Sequence, residues 1–174
     1  LLEKNLNKLK FVNLIKLAQS NKIFLSIVAS IILFLSYLSI PHVYIQTEIS
    51  KELNNKLNNK FELELNFSNK INYKFFPRPH FVSYNSSIIH NEKKISEIKN
   101  LKIFVSLKNL FSLKKLKINE VVMEDTNFNL NKENYNFFIT VLDNDFENSS
   151  LKIINGNVFF RNINDEVLFI NKII

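Results

Sequence analysis

The chain has 174 residues, the size of one domain or of a small domain with a tail. Apolar residues make up 46% and charged residues 22%, which is typical of a folded protein rather than a disordered one. The absence of cysteine excludes a disulfide framework, a thiol nucleophile and a zinc ribbon. The formal charge is +7, and most of the excess lies directly before an uncharged apolar run. We therefore interpret the charge as a sign of membrane topology rather than of nucleic-acid binding.

The uncharged run at residues 23–40 predicts a transmembrane helix. Its 18 residues would cover about 27 Å, close to the hydrocarbon thickness of about 30 Å. The alternative is a cleaved signal peptide, but the basic segment at residues 1–22 is long and no small-residue cleavage site follows the run. We favour an uncleaved anchor of a bacterial inner membrane, with residues 1–22 in the cytoplasm and residues 41–174 in the periplasm. Residues 3–18 fit either an amphipathic helix on anionic lipid or a solvated tail.

Behind the predicted anchor the hydrophobic pattern changes from a helical period to a period of two. Residues 45–58 carry apolar side chains every four positions, which predicts an amphipathic helix packed on the domain. From residue 61 onward, apolar and polar residues alternate, with Glu62 and Glu64 on the polar face. Pro77 and Pro79 lack the backbone donor that a central strand needs, so they mark a break or a sheet edge.

Consecutive strands without an evident helical crossover predict an antiparallel meander over residues 61–174. A break of the alternation at residues 121–123 predicts a bulge, and residues 142–150 are predicted to form a loop. Gly156, the only glycine, is predicted to take a positive φ in a turn between two strands. The last strand stops in mid-pattern at Ile174, so we expect the chain to be truncated there. The predicted class is a membrane-anchored α+β protein.

The sequence offers little for catalysis or metal binding. His42, His80 and His90 have no partner at ligand spacing, and the acidic residues 143–147 are not followed by the glycine and glutamate of a calcium loop. We predict a protein that is not an enzyme, with no catalytic residues, no cofactor and no metal. The lysine-rich residues 93–117 are most simply a solvated face; beyond a membrane anchor, their alternative partner is anionic lipid rather than nucleic acid.

The order of these features resembles the N-terminal region of the AsmA family of bacterial envelope proteins, over residues 20–174. The likeness is carried by Phe76-Pro77-Arg78-Pro79, by residues 97–130 and by the step from Asn155 to Gly156. Members of the family are much longer, so the chain looks like the anchored start of one. The family is similar to the chorein-type bridge proteins, which form a long, curled, taco-like sheet with an apolar inner groove.

The resemblance implies a role in phospholipid transfer between the two membranes and in outer-membrane biogenesis. An apolar groove suits that role because each methylene group that leaves the bilayer for water costs about 0.8 kcal/mol. The alternative functions are a membrane-anchored scaffold or chaperone for outer-membrane protein assembly, and a structural fragment without activity. Protein partners in the envelope cannot be named from the sequence. The lipid-groove candidates are Phe61, Leu63, Leu65, Phe67, Leu101, Ile103 and Val105.

Overall fold

The computed structural model describes residues 22–68, 70–143 and 150–173, and the chain divides into two compact units that meet between Ser39 and Ile40. The first unit contains helix α1 (Lys22–Ser39). The segment Lys22–Val43, 22 residues in all, is long and apolar enough to cross a membrane, in agreement with the predicted span. The basic residues 1–21 lie outside the described residues.

The second unit opens with a short 3-10 turn (Ile40–Val43) and helix α2 (Gln46–Phe61). Three members of the predicted apolar stripe, Ile49, Leu53 and Leu57, are buried, and Phe61 continues the stripe. The fourth, Ile45, lies before the helix and is 62% exposed, so the prediction is wrong at that residue. Glu62 ends the helix in the left-handed conformation, with φ of 55°, and its N–H group bonds back to the carbonyl of Asn58. The helix therefore extends three residues beyond the predicted range of 45–58 before the chain enters the sheet.

The described residues of this unit contain one nine-stranded sheet and a further helix, α3 (Tyr135–Asp143), between β6 and β7. A second 3-10 turn (Leu113–Lys115) lies between β5 and β6. The strands are β1 (Glu64–Asn66), β2 (Asn72–Lys74), β3 (His80–His90), β4 (Lys93–Lys94), β5 (Ser96–Val105), β6 (Ile118–Leu130), β7 (Ser150–Ile154), β8 (Gly156–Arg161) and β9 (Val167–Ile173).

The sheet is mixed, so the predicted all-antiparallel meander is wrong at β6. The strand order is β1-β3-β5-β6-β8-β9, with β2 and β4 paired to β3 and β7 paired to β6. Both β7 and β8 run parallel to β6. A parallel return needs a connection of a dozen or more residues, and residues 131–149, which include α3, provide it. The predicted loop at residues 142–150 is in part the end of α3 and the start of β7, and residues 144–149 lie outside the described residues.

A row of left-handed residues crosses the sheet. Asn85 in β3, Asp125 in β6 and Asn155 between β7 and β8 have φ of 54°, 51° and 54°. The strand registers place Lys99 of β5 on the same line, between Asn85 and Asp125. Asparagine and aspartate tolerate this conformation better than most residues with a side chain. Three strands thus leave regular β geometry at the same level.

The alternation of buried and exposed residues inverts at this row. On β6, Val121 and Met123 are buried before it, and Thr126 and Phe128 are buried after it. On β5 the buried residues change parity at the same level, from Ser96 and Ile98 to Leu101 and Ile103. The cross-strand pairs next to the row stay in register on both sides of it. The bulge predicted at residues 121–123 is not found there, since Val121, Val122 and Met123 pair in regular register with β5. The one shift in register between β5 and β6 lies between Phe104 and Val105, opposite residues 118–120.

Candidate functional site

The apolar inner face of the sheet is the surface that the sequence singled out, and its first part is a closed core. Leu63 and Leu65 are buried while Glu62 and Glu64 are exposed, so the predicted alternation is confirmed. A lipid tail would reach the buried side chains only after α2 moved away, and lipid contact at these positions stays a prediction. Phe67 is half-buried, and the other six candidates are 0–4% exposed: Phe61, Leu63, Leu65, Leu101, Ile103 and Val105.

The side chain of Asn54 holds α2 on this face. Its amide nitrogen donates to the carbonyl of Leu65 at 2.7 Å, and its oxygen accepts from the N–H group of Leu65 at 2.8 Å. Both bonds satisfy backbone groups of β1, whose strand partner is β3. An unpaired strand edge is a template for association, so Asn54 both fixes the helix and closes this edge.

Helix α3 covers the next part of the inner face and leaves a small cavity beneath it. Phe138 packs edge-to-face on Phe128, with ring centroids 5.4 Å apart, and Phe137 lies 4.3 Å from the ring of His90. The cavity has a volume of about 30 Å³. Its lining is entirely apolar: Leu63, Ile88, Met123, Phe128, Phe137, Phe138, Leu151, Ile153, Val158 and Ile173.

Beyond the cavity, the inner face is open to solvent. Val158 lines the cavity, and Phe160 lies two residues further along the same face of β8. Phe160 stacks on Phe169 of β9, with ring centroids 4.1 Å apart and planes 16° from parallel. Phe169 is 56% exposed. We call Val158, Phe160 and Phe169 the open strip; it continues the apolar lining of the cavity to the surface.

Strand β9 is apolar on its outer face as well. Ile170 points to the face opposite Phe169 and is 55% exposed, and Leu168 is also exposed. Within the part of the chain that the structure describes, β9 pairs with β8 alone. The strand therefore presents a sheet edge flanked by apolar side chains on both faces, a surface that favours pairing with a further strand.

The motif Phe76-Pro77-Arg78-Pro79 forms the turn before β3, which confirms the predicted break at the prolines. Its arginine is held by the buried Glu120 of β6, at 2.7 Å, and lies 4.3 Å from the centre of the Phe104 ring. Lys152 of β7 binds the other oxygen of Glu120 at 2.5 Å. Through Glu120, the arginine of this motif links the turn before β3 to strands β6 and β7.

These contacts make the unit sensitive to acid. Hydrogen bonds from Lys152 and Arg78 outweigh burial and hold the pKa of the Glu120 carboxyl below its usual range. A group with a lowered folded-state pKa stabilises the fold above its ordinary pKa and loses that contribution as the pH falls through the lowered value. We expect unfolding free energy, measured by denaturant titration between neutral and acidic pH, to fall less steeply in Glu120→Gln than in the native chain. Equal slopes would contradict this assignment.

Gly156 is fixed by packing and not by its own backbone conformation. The prediction of a positive φ at Gly156 is wrong, because Asn155 takes that conformation. The predicted turn is also wrong, since β7 and β8 follow one another along β6 in the same direction. A Cβ atom on Gly156 would lie 2.8 Å from Cγ2 of Ile153 and 3.3 Å from Cβ of Ile173, which is too close for an unperturbed structure.

The described residues contain no group of three or more His, Cys, Asp or Glu side chains that could hold a metal ion. Each histidine is close to an aromatic ring or a backbone group. His42 lies 5.1 Å from the ring of Tyr73, and Nδ1 of His80 lies 2.6 Å from the carbonyl oxygen of Arg78.

Comparison with known proteins gave no match: no family model, no curated protein and no solved structure is similar to this chain. The resemblance to the AsmA family therefore stays a prediction.

Two groups of residues on the inner face were not predicted from the sequence: those of the helix over the cavity and those of the open strip. Phe137 and Phe138 belong to α3, a helix that the alternating pattern did not predict. Phe160 and Phe169 lie in predicted strands, and the run of four apolar residues at positions 167–170 is a signal for them. Such a run is typical of a strand that is buried on both faces.

Proposed function

We propose that this chain is a non-enzymatic, inner-membrane-anchored protein with a periplasmic sheet that acts in phospholipid transfer and outer-membrane biogenesis. In this proposal, α1 is the uncleaved anchor and the open strip is where acyl chains contact the sheet. The observation that supports it is the unbroken apolar path from the lining of the cavity, through Val158 and the half-buried Phe160, to the exposed Phe169.

The energetics favour contact at the open strip over the sealed core. A volume of about 30 Å³ does not admit an acyl chain, so a lipid in the cavity would require α3 to move. At the open strip no element has to move, and covering the exposed half of Phe169 would contribute roughly 1 kcal/mol. The lipid-contact residues expected first are therefore those of the open strip, before Leu63 or Ile103.

The test is site-specific photo-crosslinking of the full chain in living cells. A photoreactive amino acid at Phe169 should capture phospholipid, identified by mass spectrometry of the adduct. The matched control is Ile170, which has the same exposure but lies on the opposite face of the same strand. Capture at Phe169 and much weaker capture at Ile170 is the expected result. Equal lipid capture at both positions, or none at either, would contradict the proposal.

A second candidate function follows from the edge of β9. A scaffold or chaperone for outer-membrane proteins could add a client strand there, since main-chain pairing supplies affinity and the alternate side chains supply selectivity. The same experiment separates the two functions. Discrete protein adducts at both Phe169 and Ile170, without lipid, would favour the scaffold.

A further inference from the structure

We propose that one end of the sheet, which we call the proximal end, binds the surface of an anionic lipid bilayer. It consists of residues 40–45, 70–79 and 106–117. The proposal rests on the membrane anchoring proposed above but not on lipid transfer. Val43 is both the last residue of the possible membrane span and the first exposed apolar residue of this end.

Specific contacts bring the three segments together. The hydroxyl of Tyr44 donates to the carbonyl of Leu110 at 2.6 Å, which joins the entry segment to residues 106–117. The N–H group of Val105 donates to the carbonyl of Pro79 at 3.0 Å, where β5 ends beside the turn before β3. Within the loop from β5 to β6, the N–H group of Ser106 donates to the carbonyl of Lys117 at 2.9 Å. These hydrogen bonds hold the three segments together, so the proximal end is one continuous surface.

The surface is apolar and aromatic where it faces solvent. Phe76 is 79% exposed and Phe111 is 59% exposed, and both lie in short turns of this end. Soluble surfaces rarely expose several large apolar side chains together, and those that do mark interaction sites. The exposed apolar side chains of this end are Val43, Ile45, Phe75, Phe76, Leu107 and Phe111.

The charges identify the partner as a bilayer with anionic headgroups. The three segments contain no aspartate or glutamate, and they carry exposed lysines at positions 70, 74, 108, 114, 115 and 117. Aromatic and aliphatic tips that enter the interface, ringed by lysines that reach headgroup phosphates, are the combination that binds anionic membranes.

The opposite end of the sheet has a different composition. Its turns include Glu92, Glu133, Asp165 and Glu166, and most of its exposed residues are polar. One exposed apolar residue there, Ile163, is 92% exposed in the turn between β8 and β9. It supplies a control that is apolar and accessible but lies at the wrong end.

The absence of cysteine makes the test direct, since one introduced cysteine gives one label. Phe111→Cys, Phe76→Cys and Ile163→Cys would each be labelled with an environment-sensitive fluorophore on the full chain in vesicles. The vesicles contain zwitterionic and anionic phospholipid with a lipid-borne quencher in both leaflets. We expect quenching several-fold stronger at positions 76 and 111 than at 163. Equal, weak quenching at all three would overturn the proposal.

A charge-reversal pair tests the anionic preference. Lys114→Glu with Lys115→Glu should reduce quenching at position 111, while Lys93→Glu with Lys94→Glu at the other end should leave it unchanged. Unchanged quenching in the first pair, or equal quenching in purely zwitterionic vesicles, would refute the anionic preference. Failure of the anchor would appear separately, as release of the native chain from vesicles by alkaline carbonate. Failure of lipid transfer would appear at Phe169, which is not in this surface.

Discussion

Replacing Leu63 with aspartate should unfold the second unit. Leu63 has 0% exposure, lines the cavity beneath α3 and directly precedes β1, which Asn54 holds on α2. The cavity that Leu63 faces is lined by apolar side chains alone, so a carboxylate at this position must either stay buried among them or force β1 off the sheet. Burial of an unpaired charge and loss of the leucine together should lower the free energy of unfolding by about 4 kcal/mol or more.

The control for this substitution is its neighbour. Glu64, the first residue of β1, is exposed, and Glu64→Lys changes the charge by two units without entering the core. Denaturant unfolding of the purified chains should show a large loss for Leu63→Asp and a change within about 0.5 kcal/mol for Glu64→Lys. Comparable losses in the two variants would mean that β1 does not separate an inner from an outer face.

Replacing Gly156 with valine should destabilise the same unit through overcrowding. The added Cβ would meet a methyl group of Ile153 at 2.8 Å, and the two γ carbons need further room between β7 and β9. Overpacking of this kind costs about 1–3 kcal/mol, because neighbouring side chains and backbone must shift. Gly156→Ala should show a smaller loss of unfolding free energy in the same titration.

A second-site change identifies the cause. Ile153→Ala removes the methyl group that the new Cβ would strike, so the double variant Gly156→Val with Ile153→Ala should lose less than the sum of the single losses. Residues in contact couple in this way, whereas independent sites add. Simple additivity would show that Gly156 is required for its backbone conformation, which its φ does not suggest.

The sequence predicted the elements whose periodicity is local. The four-residue spacing of Ile49, Leu53 and Leu57 predicted α2. The strict alternation at residues 61–67 predicted the buried side chains of Leu63 and Leu65 at the start of the sheet. These patterns succeed because one face of each element is buried by a neighbour along its whole length. The uncharged run likewise gave α1 to within one residue at each end.

The parts that failed depend on distant neighbours. Helix α3 has only nine residues and contains adjacent phenylalanines with isoleucine, threonine and valine, a composition that also suits a strand. Because this helix was not predicted, the connection between β6 and β7 was not recognised as a crossover. The parallel pairing of β7 and β8 with β6 was therefore not predicted either. The groove candidates were assigned from their apolar face alone, and a sequence pattern does not distinguish cover by a helix from cover by a lipid.

The row of left-handed residues couples the lengths of the strands. Deleting Asn85 alone would restore unbroken alternation within β3, yet every side chain from Ser86 to His90 would then face the wrong side relative to β5. The same holds for Asp125 and Asn155 in their strands. Single-residue insertions or deletions are therefore compatible with this sheet only when adjacent strands change together, so homologous chains should vary in strand length as a set and not one strand at a time.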